Sequence, residues 1–343
     1  MPKTAMKPFL KYIGRRLFFL ILTYFVAITI IFILPRAIPG NPLAVILQRI
    51  AVQGASNPET ISNVQKTMME EFGFNKPIHI QYLNFLGRLF KGDLGTSIHY
   101  YPKKCIDVLA PFIPWTLFLL IPATLTAWII GNTLGAIAGN KRGTWIDNIV
   151  LNSSLVISQI PYYWLGMLLI YTLTVKLKIF PNQGGYSQGL IPNLSLTFIL
   201  DVLYHYILPF LSIVIAAIGG WAIGTRLLVI YELDADYTVF AVNLGMRDNT
   251  VFKYVFRNIL LPQITGLALN LGSALGGALI TELIFNYPGT GYILFRALST
   301  LDYPLIQAIF VILIVAIYLA NFIVDFVYAI VDPRIRLGQG EGS

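Results

Sequence analysis

Apolar runs too long for strands are the main pattern of this chain. Leu17 to Leu34 is predominantly apolar over 18 residues. Comparable runs predict helical spans at roughly 14–35, 112–139, 149–175, 205–230, 262–285 and 305–330. Eighteen residues of helix rise about 27 Å, close to the hydrocarbon thickness of a bilayer. The runs lack the period-2 alternation of a membrane strand, which would also be much shorter. The pattern predicts an all-α polytopic membrane protein with six transmembrane helices.

The polar interruptions carry as much information as the runs. Asp236 to Pro262 (DYTVFAVNLGMRDNTVFKYVFRNILLP) is a polar, helix-forming island between two apolar runs. Simple connectors run a handful of residues. A short helix from about Asp236, with an acid at its positive end, reads as ending at Gly245 in a left-handed turn. Segment 36–111 is the other long interruption. Asn57-Pro58-Glu59 opens a helix, Ile61, Val64, Met68 and Phe72 repeat at helical spacing, and Gly73 stops it. A second amphipathic stretch, Ile80 to Phe90, ends at Gly92. These two stripes pack on each other and on the membrane face, or else form a docking surface for an external partner.

Composition agrees with the pattern. The chain is 56% hydrophobic and only 12% charged, against about 25% charged in soluble domains. The net charge of +8 does not point to nucleic acid, because the basic residues flank the membrane runs. With the N-terminus inside, the inner segments hold 13 Lys/Arg and the two short outer loops hold 3. Both termini are therefore expected in the cytoplasm. Pro35 to Gly40 is a poor cleavage site, so the first span is expected to be retained. The expected division is 1–35 (cytoplasmic N-terminus and first span), 36–111 (a helical extracytoplasmic subdomain), 112–335 (a five-helix membrane domain with cytoplasmic loop 231–261) and 336–343 (tail). Cys105 is the only cysteine, so no internal disulfide is available.

Candidate chemistry is sparse. There is no GxxxxGK[ST] phosphate loop. His79, His99 and His205 do not have metal-ligand spacing. The chain reads as a non-enzyme without metal or cofactor. Within the spans, Gly131/Gly135/Gly139, Gly220/Gly224 and Gly272/Gly276 stack at i+4 and suit close helix approach. Asn148, Asn152 and Gln159 share a face of span three, which Pro161 interrupts. Asn270, Ser273, Gly277 and Thr281 share a face of span five. These faces fit either a wet pathway or interhelical hydrogen bonds. Gln159, Asn270, Ser273 and Thr281 are the pathway candidates, with Glu282 near the outer mouth. Asp325 reads as an interfacial or capping carboxylate. Asn286-Tyr-Pro-Gly-Thr-Gly291 after Glu282 is a tight turn.

Many short motifs, in order and at matching spacing, give the chain a family resemblance over nearly its whole length. They are Tyr12-Ile-Gly-Arg-Arg-Leu17, Ile38-Pro-Gly-Asn-Pro42, Phe72-Gly-Phe-Asn-Lys-Pro77, Gly92-Asp-Leu-Gly-Thr-Ser97, Leu260-Leu-Pro262, Thr281-Glu-Leu-Ile-Phe285, Tyr287-Pro-Gly-Thr-Gly291, Asp302-Tyr-Pro304 and Asp332-Pro-Arg-Ile-Arg336. The chain resembles the permease subunit of binding-protein-dependent ABC importers, in the oligopeptide/dipeptide branch. That family's cytoplasmic loop carries Glu-Ala-Ala and then Gly four residues on. Here Val239-Phe240-Ala241 and Gly245 stand there, and Leu-Pro follows at Pro262, similar to the peptide branch. The resemblance implies that the loop couples to an ATPase through Asp236, Tyr237, Ala241, Gly245 and Arg247. It implies as partners a second permease subunit, cytoplasmic ABC ATPase subunits that hold ATP and Mg, and an extracytoplasmic substrate-binding protein. Di- and oligopeptides are the implied cargo, with oligosaccharides or nickel complexes as alternatives. A stand-alone secondary transporter or channel is the competing reading.

Overall fold

The structure, a computed structural model, describes residues 22–39, 66, 69, 70 and 72–331, with side chains except at 268, 271–278 and 320–331. The described residues are helical apart from turns and one isolated bridge, Thr96 to Lys104. The chain divides into two compact units. One holds the described residues up to Ala110 together with Leu294–Ile312, and the other holds Pro111–Ile293 and the chain from Leu313. The helix expected after Pro58 lies mostly outside the described residues, though its expected stop, Gly73, has φ +67°.

The first unit is built on α1 (Leu22–Ala37) and α2 (Ile78–Phe90). One face of α2 packs on α1. The Tyr82 hydroxyl lies 2.7 Å from Thr29 Oγ1, and its ring meets Phe25 and Phe32 edge-on. Phe85 packs on Phe32, and Arg36 donates to Gln81 Oε1 at 2.9 Å. At the end of α2, the N–H groups of Gly92 and Asp93 return to Leu89 and Arg88 carbonyls, with Gly92 at φ +72°. This is the double hydrogen bond of a glycine-closed helix end. A short α3 (Cys105–Leu109) follows.

In the second unit, α4 (Ile113–Asn140) and α7 (Leu196–Leu233) are long and apolar enough to cross a membrane. They meet through the first glycine stripe. A Cβ on Gly135 would lie 2.3 Å from the Ala222 carbonyl oxygen, and one on Gly131 would lie 2.5 Å from Trp221 Cβ. One on Gly139 would lie 2.7 Å from Val229 Cβ. Within this seam Thr225 Oγ1 donates to Asn132 Oδ1 at 2.5 Å. The expected Gly220/Gly224 stripe does not behave this way, since a Cβ on either meets nothing within 4 Å. Gly219 is the close-contact position, 2.5 Å from the Ser154 carbonyl oxygen. Between the two lie α5 (Trp145–Ser158), α6 (Tyr162–Leu169) and a π-helical stretch, Ile170–Lys176.

One boundary differs from the sequence expectation, and the interruption expected at Pro161 is a sharp bend. Span three is broken: Trp145–Ser158 and Tyr162–Lys176 meet at 92°. Pro161 has no N–H to continue α5 and restricts the residue before it, so it starts a new helix in a new direction. Span five does not begin at Pro262. It is the second half of α9 (Asp248–Ile284), which runs through that proline. Val251, Val255 and Ile259, one turn apart, are buried; Val255 and Ile259 form a cluster with Val229 and Ala136. That packing holds the segment helical before the apolar run begins. The remaining helices are α8 (Asp236–Asn243), α10 (Thr290–Ser299) and α11 (Tyr303–Val331).

Candidate functional site

The expected coupling segment is a discrete helix. α8 starts two residues after α7 and carries Asp236 in its first turn. It ends in the glycine-closed geometry that the sequence suggested. Gly245 has φ +80°, its N–H donates to the Val242 carbonyl, and the Met246 N–H donates to the Ala241 carbonyl. Ala241 is thus the residue whose carbonyl closes the helix, and Gly245 supplies the left-handed turn. Arg247 is exposed and its backbone caps α9.

One side of α8 is anchored and the other is bare. Thr238 is buried and donates to the Glu232 carbonyl at 2.7 Å. The Tyr237 hydroxyl donates to the Glu232 carboxylate and accepts from Asn258 Nδ2 of α9 at 2.9 Å. These bonds tie α8 to α7 and α9. The outward side is mostly apolar, with Val239 46% exposed, Phe240 65% and Leu244 66%, between exposed Asp236 and Asn243. A contiguous exposed apolar patch marks an interaction surface. The two positions where the chain departs from Glu-Ala-Ala, Val239 and Phe240, lie on this surface.

Two ion pairs hold the end of α7 that leads into α8. Asp147, in the first turn of α5, is 2% exposed and takes both Nε (2.5 Å) and Nη2 (2.9 Å) of Arg226 on α7. Its Oδ2 also accepts from the Gly143 N–H. Arg142 pairs with Asp234, in the turn between α7 and α8, at 3.0 Å on the surface. The fork geometry of Arg226 on a buried carboxylate is the stronger contact.

The pathway candidates do not form one surface. Gln159 is exposed and caps α5 at the bend, and Asn270 is exposed on α9. The Ser273 side chain lies outside the described residues. Thr281 and Glu282 are fully buried. Glu282 Oε2 accepts from the Gly291 N–H at 2.6 Å, and Thr116 Oγ1 accepts from the Thr290 N–H at 2.8 Å. Two side chains therefore hold the Tyr287–Gly291 turn from inside. A Cβ on Gly289 would sit 2.2 Å from the Glu282 carboxyl carbon, which explains glycine there.

A second carboxylate, whose role no local sequence signal gives, does similar work in the other unit. Asp302 is fully buried just before α11 and accepts four hydrogen bonds. Ser97 Oγ (2.5 Å) and the His99 N–H (2.9 Å) reach Oδ2, and the N–H groups of Ile98 (3.0 Å) and Leu305 (3.2 Å) reach Oδ1. It both caps α11 and ties loop 95–99 to that helix. Asp302-Tyr-Pro304 and Gly92–Ser97 were both visible as motifs, but nothing in the sequence signals that they bind each other across more than 200 positions.

Comparisons with known proteins identify the family. Residues 131–337 match the model of the binding-protein-dependent transport system inner membrane component, and residues 9–108 match that of the N-terminal part of the membrane component of such systems. The chain is 33% identical to the oligopeptide transport system permease protein AppB of Bacillus subtilis, over 89% of this chain and 92% of that one. It is 33% identical to the di/tripeptide transport system permease protein DppB of Pseudomonas aeruginosa, over 95% and 99%. It is 30% identical to the glutathione transport system permease protein GsiC of Escherichia coli, over 95% and 99%. Such a component is not an enzyme and carries no cofactor, the ATPase residing in partner subunits. The chain belongs to the family of inner membrane components of binding-protein-dependent transport systems, and is a multi-pass protein of the cytoplasmic membrane.

Proposed function

We propose that the chain is one permease subunit of an ATP-driven importer of short peptides, and that α8 is the element seated in the ATPase. The observation that carries this reading is the exposed, mostly apolar face of α8 at Val239, Phe240 and Leu244, on a helix tied to its neighbours through Thr238 and Tyr237. A transporter working alone would have no use for such a surface. Ligand-driven or ATP-driven switching needs a firm connection between the motor and two arrangements of the spans. Asp236, Tyr237, Ala241, Gly245 and Arg247 lie on or at the ends of that connection.

The basic-residue asymmetry supports six spans with both termini and loop 231–261 in the cytoplasm, and 36–111 outside beside the binding protein. A second permease subunit, homologous or a second copy, completes the pathway. Gln159 and Asn270 are the candidates that would line it, since they sit at the surface of this chain. Thr281 and Glu282 would shape its outer end through the Tyr287–Gly291 turn. The cargo class rests on relatives named for oligopeptides, di/tripeptides and glutathione, itself a tripeptide. None of these names supports the oligosaccharide alternative.

Gly245→Asp tests the coupling role. A Cβ there meets nothing within 4 Å of this chain and φ is +80°, so the substitution adds no clash, backbone strain of at most about 1–2 kcal/mol, and a charge beside the apolar surface. The variant should insert normally while peptide uptake and receptor-stimulated ATPase fall together. Wild-type values for both would refute α8 as the coupler.

A further inference from the structure

We infer that α2 is a membrane-interface helix whose free face rests on acyl chains of the outer leaflet, and that this face is not the docking surface for the binding protein. The inference rests on the reading of α1 as a span. Ile80, Leu83, Gly87 and Phe90 follow at steps of three, four and three residues, so they form one stripe on α2. The stripe is opposite the Gln81, Tyr82 and Phe85 face that packs on α1. Leu83 is 63% exposed and Phe90 89%.

The contacts with α1 set the depth of α2. They run from Phe25 to Arg36, about 16 Å of helix rise. Arg36 is at the outer end of α1, its guanidinium 3.6 Å over the Phe32 ring and bonded to Gln81. A basic residue that keeps its stem on apolar surface and its head near water marks the edge of the bilayer. Thr29, which the Tyr82 hydroxyl reaches, lies about 10 Å further in along the helix. Half of the hydrocarbon core is about 15 Å, so Tyr82 is anchored within the outer leaflet. Interfacial helices bury their apolar face by about 5–10 Å, which matches.

Two further observations favour lipid over protein. The α2 stripe belongs to the same unit as the outward side of α1, where Val26, Ile30, Ile33 and Leu34 are exposed. On a span, that side is already lipid-facing. Lys76 precedes α2 and Lys91 follows it, both exposed, so each end of the helix offers a cation at headgroup level.

The test uses the whole transporter, with cysteine-free partner subunits, in lipid nanodiscs. Nitroxide labels are attached at Leu83→Cys and Phe90→Cys, and at Val26→Cys on α1. Cys105 is buried and takes no label. Relaxation by oxygen, which concentrates in lipid, is compared with relaxation by a water-soluble nickel chelate. The labels at 83 and 90 should respond severalfold more to oxygen than to nickel, as the label at 26 does. If 26 has the lipid signature but 83 and 90 respond to nickel, or are shielded from both, water or protein covers the stripe and the inference is overturned. If 26 also lacks the lipid signature, the span reading fails and takes the inference with it.

Discussion

Asp302→Asn should loosen the outer end of α11 far more than its small change in shape suggests. The carboxylate is fully buried and receives four donors, two on each oxygen. Hydrogen bonds to a charged group contribute about 1.5–3 kcal/mol each, and a buried donor left unpaired costs about 1–3 kcal/mol. The amide oxygen of asparagine can keep the Ile98 and Leu305 pair. Its NH2 then faces the Ser97 hydroxyl and the His99 N–H. The hydroxyl can turn and accept, but the backbone N–H cannot. The expected loss is therefore about 2–5 kcal/mol, a large share of a typical folding stability. Asp302→Ala should lose more, because all four donors lose their acceptor. Ser97→Ala should lose less, about 1–3 kcal/mol, since the three backbone donors to Asp302 keep their acceptor and only the Tyr100 N–H loses the Ser97 hydroxyl. The measurement is the melting temperature of purified protein in detergent, with protease nicking between residues 91 and 104 as the local readout. An Asn variant that melts like the parent and resists nicking would refute the argument.

Cys105 should stay unlabelled by impermeant thiol reagents even on intact folded protein. It is 0% exposed, and burial, aided by the Asp302 carboxylate, pushes its thiol pKa well up. The group therefore stays protonated, and raising the reagent pH from about 7 to about 9 should not unmask it, because a thiolate is what reacts. Lys103→Cys is exposed in the same loop and should label from outside without permeabilisation; labelling only afterwards would reverse the proposed topology. In the α4–α7 seam, Gly135→Val should destabilise by about 1–3 kcal/mol or more through overpacking, since its Cβ would meet a backbone oxygen at 2.3 Å. Gly220→Ala has open space and should be neutral, or stabilising by up to about 1 kcal/mol from helix propensity; thermal melts of the two variants check the contrast.

Local signals carried well from sequence to structure. The helix α8 was legible because an acid, a polar run and a glycine at the right offset are all local, and it begins at Asp236 and turns at Gly245. The Gly131/Gly135/Gly139 stripe was legible because three small residues at i+4 steps leave one helix face without side chains, which suits close approach. What stayed hidden depended on partners. Gly220 and Gly219 look alike in sequence, and only the neighbouring Ser154 carbonyl shows which one is needed. Pro262 looked like a helix start because prolines often are, but packing around Val255 and Ile259 outweighs that preference. Thr281 shares a helical face with Asn270 by spacing, yet one is buried and the other exposed. Periodicity locates a face and says nothing about how its surroundings change along 37 residues of helix.

The seam between α4 and α7 has a mechanical consequence. Three glycines bring the α7 segment from Ile218 to Val229 into backbone contact with α4, leaving no side-chain cushion in which one helix could slip past the other. The two helices must then tilt as a single beam. From Pro209 to Leu233 that beam is about 36 Å long, and α8 is joined to its tip by two residues. A swing of about 5° about the proline moves the tip by about 3 Å, the length of one hydrogen bond. Small rotations deep in the bilayer and ångström-scale strokes at the tip are thus one and the same motion.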